Sequence, residues 1–144
     1  MYLTYISTIL LALILQSSQV KFEQLIGTWQ LVHFDAMDEL RNSPQYKSSD
    51  SAMRAGLEYK IQNRLENTVY IFVAGDSLKY TDYVKSEVVQ KKATIEINSN
   101  NILTIKTGSE VKQAKIVAFG TERMVLQPIS TSPGSGKLVF EKIK

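Results

Sequence analysis

The sequence predicts an all-β fold: an eight-stranded antiparallel up-and-down barrel with a short helix between strands one and two. Three observations predict it. Eight segments are rich in Val, Ile, Thr, Tyr and Phe, the residues that suit a pleated, half-buried surface. From the second segment onward the links are short and mostly carry Gly, Asn or Asp, which tolerate the backbone of tight reversals. The one long link, Ala36 to Asn67, turns from a polar stretch into apolar residues at helical spacing.

The first strand is Thr28 to Phe34, "TWQLVHF". Its two-residue period puts Trp29, Leu31 and His33 on one face and Gln30, Val32 and Phe34 on the other. In the long link, "DELRNSPQYKSSD" (Asp38 to Asp50) reads as a loop. The segment "SDSAMRAGLEYKIQNRLEN" follows, with Met53, Leu57, Ile61 and Leu65 at i+4 steps and Arg54, Glu58 and Arg64 off that stripe. Ser51 or Asp50 caps this helix. A helix inserted here lies across one open end of the barrel. The remaining strands are Thr68 to Val73, Ser77 to Tyr83, Glu87 to Ile97, Ile102 to Thr107, Val111 to Phe119, Arg123 to Gln127 and Lys137 to Ile143. The turns "AGDS" and "NSNN" are hairpin signals, and "PISTSPGSG" is a longer loop. Short links force sequential neighbours to pair antiparallel. Closing the meander removes its two exposed edges, and eight strands enclose room for side chains or for one small ligand.

The chain has 144 residues, 44% apolar and 22% charged, which suits one globular domain with a sizeable core. Residues 1–19 form an uncharged leader with an apolar heart, "ISTILLALIL". It reads as a signal peptide cleaved near Ser17 to Gln19, with an uncleaved N-terminal anchor as the alternative. Residues 20–144 form the domain, expected to be secreted or periplasmic. The net charge is only +3, and Lys and Arg are scattered, with Lys91-Lys92 the one adjacent pair. That pattern is unlike the basic patch of a nucleic-acid binder. With no cysteine, disulfides, thiolate zinc sites and a Cys nucleophile are excluded.

The "GTW" of Gly27-Thr28-Trp29, opening the first of eight strands, resembles the G-x-W signature of lipocalins and lipocalin-like bacterial domains of the calycin type. "YIFVAGDSLKYTD" is similar to the second and third strands of the bacterial family, and "NNILTI" to a later one. "AKIVAFGTERMVLQ" and "KLVFEKI" are similar to its C-terminal strands. The likeness spans nearly all of residues 24–143. It implies a barrel that binds a small hydrophobic ligand. Lipocalins often pack an Arg from the last strand over the Trp. No Arg follows Arg123 here, so Lys142 or Lys144 substitutes or the contact is missing. Fatty-acid-binding proteins share the "GTW-x-L" opening and a helical lid, but they use ten strands and a closing R-x-Y that this chain lacks.

Candidate ligand-contacting residues are Trp29, His33, Tyr70, Phe72, Tyr80, Phe119 and Met124, with Leu126 beside them. Each is also what a packed core requires. Trp29 is expected at the barrel floor. His33 shares its parity and so points inward if Trp29 does. Parity leaves open whether Tyr70 and Phe72, or Val69, Ile71 and Val73, face in. His33 is the lone histidine, so a polyimidazole metal site is excluded, and no G-x-S-x-G elbow supports a nucleophile. Asp35, Asp38 and Glu39 lack the spacing of a calcium loop and read as a solvated helix start or loop. "GSGK" at Gly134 to Lys137 departs from a phosphate loop, with Thr131 in place of the first Gly and Leu138 after the Lys.

The functional expectation is non-enzymatic binding of a small hydrophobic ligand in the barrel, with no catalytic residues and no cofactor. The alternative is a filled barrel acting as a protein-interaction or cell-envelope module. Membrane contact is expected only through an uncleaved leader, and no nucleic-acid partner is expected.

Overall fold

The computed structural model describes residues 19–84, 87–129 and 136–143, without the side chains at 82–84. The leader and most of the loop before the last strand lie outside the described residues. The order is α1 (Phe22–Leu25), β1 (Gly27–Phe34), α2 (Asp35–Asn42), α3 (Pro44–Ser48), α4 (Ser51–Asn67), β2 (Val69–Val73), β3 (Ser77–Val84), β4 (Glu87–Ile97), β5 (Ile102–Thr107), β6 (Glu110–Phe119), β7 (Arg123–Pro128) and β8 (Leu138–Ile143). Each strand pairs antiparallel with the next, and β8 returns to β1, so the barrel closes. All eight expected strands are present, within a residue or two of their predicted bounds.

The stretch read as a loop, Asp38 to Asp50, instead belongs largely to α2 and α3. Its helix signals are local. Asp35 and Asp38 sit in the first turn of α2 and Arg41 in its last, complementing the helix dipole. Pro44 occupies the first turn of α3, where its missing N–H costs nothing, and the Ser43 hydroxyl accepts from the Tyr46 amide. Asp50, one of the two expected caps, accepts from the Met53 amide and starts α4. Of the expected apolar stripe on α4, Ile61 is buried and Leu57 and Leu65 are half-buried, while Met53 is 54% exposed. The first half of α4 meets α3, through Arg54 on the Tyr46 and Lys47 carbonyls, and only its second half reaches the barrel.

The barrel interior is continuous. Trp29, Leu31, Phe72, Leu78, Leu103, Met124, Leu126 and Phe140 are each at most 2% exposed, and Ile95, Ile105 and Ile116 extend this core. In β2 the two aromatic residues face inward. Phe72 is buried and Tyr70 half-buried inside, while Ile71 faces out at 37% exposure. The expectation for His33 is corrected. The β1–β8 register shifts between Leu31 and His33, so one residue is bulged and Phe34 enters the core in place of His33. His33 is then left half-buried beside α2, 2.7 Å from the Asp38 carboxylate.

The other end is closed by residues 20–26. Leu25 is fully buried, and its carbonyl accepts the Trp29 indole N–H at 2.8 Å. The Phe22 ring packs edge-on to Phe72, and the Val20 amide donates to Asn101 Oδ1 at 2.8 Å. The Lys142 ammonium lies 5.5 Å from the centroid of the Trp29 ring, so Lys142 takes the cationic place over the Trp. Gly27 makes this possible. Its φ of +138° is a region nearly confined to glycine, and a Cβ there would stand 2.5 Å from Lys142 Cε. Gly27→Ala is therefore expected to displace Lys142 and to lower stability by about 1–3 kcal/mol, measured by urea unfolding followed by circular dichroism.

Candidate functional site

The end opposite the plug is built by a gap in the sheet. β1 pairs with β2 only from Gly27 to Gln30, with one further bond from the Leu31 amide to the Thr68 carbonyl. Beyond it β1 has no β2 neighbour, and the end of α4 occupies that place. Gln30 Nε2 donates to the Leu65 carbonyl, and Thr68 Oγ1 donates to the Arg64 carbonyl at 2.6 Å. These bonds fix the last turn of α4 against β1. Arg64 then lies over Phe34, its guanidinium carbon 4.3 Å from the ring centroid.

A cavity of about 560 Å³ opens beside this pair. Its apolar wall is Phe34, Ala36, Val111, Pro128, Ile129 and Leu138, and its charged residues are Asp35, Arg64, Lys112 and Lys137. Asp35 and Lys137 clasp reciprocally. The Asp35 amide donates to the Lys137 carbonyl at 3.0 Å, and the Lys137 amide donates to Asp35 Oδ2 at 2.9 Å. Gly136 is required here because a Cβ would approach Asp35 Cβ to 2.5 Å. Lys112 lies 3.4 Å from Glu110 on the same strand. A second hollow, about 630 Å³, lies on the outside of β2–β4 over Val69 and Ile71, rimmed by Lys79 and Lys92.

Of the seven residues expected to contact a ligand, six gather inside the barrel. Trp29 and Met124 are fully buried and Phe119 packs on Trp29, with ring centroids 5.9 Å apart. Tyr70 bridges Phe72, Tyr80 and Phe140, the last at 4.8 Å, and the Tyr80 hydroxyl meets Thr107 Oγ1 at 3.1 Å. His33 stands apart, as the bulge dictates. None of the seven lines the 560 Å³ cavity. None of the residues that do so was expected from sequence to contact a ligand. For Arg64 the available signal was its place three residues after Ile61, near the end of a helix leading into a strand. Among the described residues, no group of three or more His, Cys, Asp or Glu could hold a metal ion. Of the helix start or loop expected for Asp35 and Asp38, they take the helix start.

The three lid helices are pinned together at Glu58. Its carboxylate accepts from Arg41 Nε at 2.9 Å and Nη2 at 2.7 Å, and from the Tyr46 hydroxyl at 2.7 Å. The Arg41 bidentate bond, then that of Tyr46, holds the Glu58 pKa down from 4.5 to about 2. The same bonds raise the Arg41 and Tyr46 pKa values.

Comparison with known proteins adds one kind of information. No family model matches the chain, and no curated protein matches it in sequence. The fold has a solved counterpart. A DUF4847 family protein from Bacteroides vulgatus ATCC 8482 is similar with a TM-score of 0.52 and 13% identity, over 82% of this chain and 93% of that one. At that identity the likeness concerns the fold alone.

Because the Glu58 pKa is lower in the folded chain than in the unfolded one, its contribution to stability is present above about pH 4.5 and is lost as pH falls toward 2. The α2–α3–α4 clamp is expected to loosen in that window before the barrel does. NMR signals of the Tyr46 ring and Arg41 Nε should report it, and Glu58→Gln should remove the pH response.

Proposed function

We propose that this chain is a non-enzymatic, exported binding protein for a small, largely apolar ligand, held at the lid end of a lipocalin-like barrel. The observation that carries this reading is the 560 Å³ cavity bounded by α2, α4 and the ends of β6 to β8. Its size lies within the range of about 300–1,000 Å³ common for small-molecule sites. It also sits above an interior filled by aromatic and aliphatic side chains, so the proposed seat is the mouth rather than the depth of the barrel. Export is inferred from the uncharged, apolar leader.

The filled interior also favours a second reading, an interaction module that presents the outside of β2–β4, where Val69, Ile71, Lys79 and Lys92 border the other hollow. The two readings separate with a neutral probe. Fluorescence of N-phenyl-1-naphthylamine should rise saturably, near one probe per chain. Ile129→Glu, at a position already 50% exposed, should weaken that binding about fivefold or more without altering the circular dichroism. Absence of any probe binding would remove the ligand-binding reading and leave the interaction module.

A further inference from the structure

Resting on the ligand-binding reading above, we infer that the lid-end ligand carries an anionic group, and that Arg64 receives it while Phe34, Pro128 and Leu138 cover the apolar part. The cavity wall carries three cations, Arg64, Lys112 and Lys137, against the single carboxylate of Asp35. That carboxylate is already engaged by the Lys137 amide. Lys112 is balanced by Glu110. Arg64 is not balanced. Among the described residues its guanidinium has neither an ion pair nor a side-chain hydrogen bond, although the residue is half-buried.

The geometry suits an oxyanion. A guanidinium on an aromatic face is held in place by the ring, while its N–H donors point outward in its own plane. A carboxylate or phosphate meets those donors edge-on, two bonds at a time. The Arg64 backbone is immobilised as well, because Thr68 Oγ1 bonds its carbonyl and Gln30 bonds that of Leu65. Little conformational freedom remains to be lost when an anion docks. With Arg64 and Lys137 on its wall, the cavity favours a negative group.

The test uses the full protein and three probes with one shared chain length, dodecanoate, dodecyl phosphate and dodecanol, each displacing N-phenyl-1-naphthylamine. At least one anion should bind about tenfold or more tightly than dodecanol, and the tighter of the two identifies the oxyanion. Arg64→Met should erase that preference. Lys137→Met, at an exposed position, should reduce anion affinity by about threefold and serves as the test should Arg64→Met fail to fold. Equal binding of dodecanol and both anions, or a preference that survives Arg64→Met, overturns the inference while leaving the binding reading intact. Failure of all three probes to bind overturns both.

Discussion

The demand on β1 organises the rest of the structure. A closed sheet requires its first strand to be paired on both sides, and β1 meets β8 along its length but β2 only through Gln30. The unmet half must be covered by something with its own satisfied backbone. The last turn of α4 does this, with Gln30 and Thr68 tying it to the strand. The gap in the ladder is thus what brings a helix, and with it Arg64, to the rim of the barrel.

At the opposite end the same strand is fixed by Trp29. Its indole N–H reaches the Leu25 carbonyl, so the residues before β1 fold under the barrel as a plug. The ring would otherwise present a large apolar surface to the barrel mouth. Leu25 beneath it and Lys142 over it exclude water from that surface. With this end plugged and the middle filled, empty volume collects where the lid helices meet β6 to β8. The plug and the filled interior therefore bear on function indirectly, by assigning ligand space to one end.

The lid helices are tied to one another by polar contacts. α2 and α3 contain no fully buried residue, and α4 buries only Ile61. The Arg41–Glu58–Tyr46 cluster joins all three helices instead. Side chains more than a third exposed make such a clamp weak and responsive to solvent conditions, whereas the barrel beneath is held by continuous apolar packing. The two parts consequently differ in local stability, as expected where a binding site lies under a lid.

The sequence alone determined the eight strands, their order and their antiparallel pairing. Alternation and turn chemistry are local, and short links leave one topology open. It also determined that α4 exists and that Asp50 could cap it. What needed the tertiary structure were features decided by partners distant in sequence. Whether Tyr70 and Phe72 face inward depends on Tyr80, opposite Tyr70 on β3, and on Phe140 of β8. His33 leaves the interior because the β1–β8 register slips by one residue, and that slip has no signature in "QLVHF". α3 was hidden because its order comes from its caps and from Glu58, and α2 because its few apolar residues, Ala36, Met37 and Leu40, pack on a core built by distant strands. The candidate site was hidden for the same reason. Phe34, Arg64, Lys112 and Leu138 lie on four different elements, and only closure of the barrel places them around one cavity.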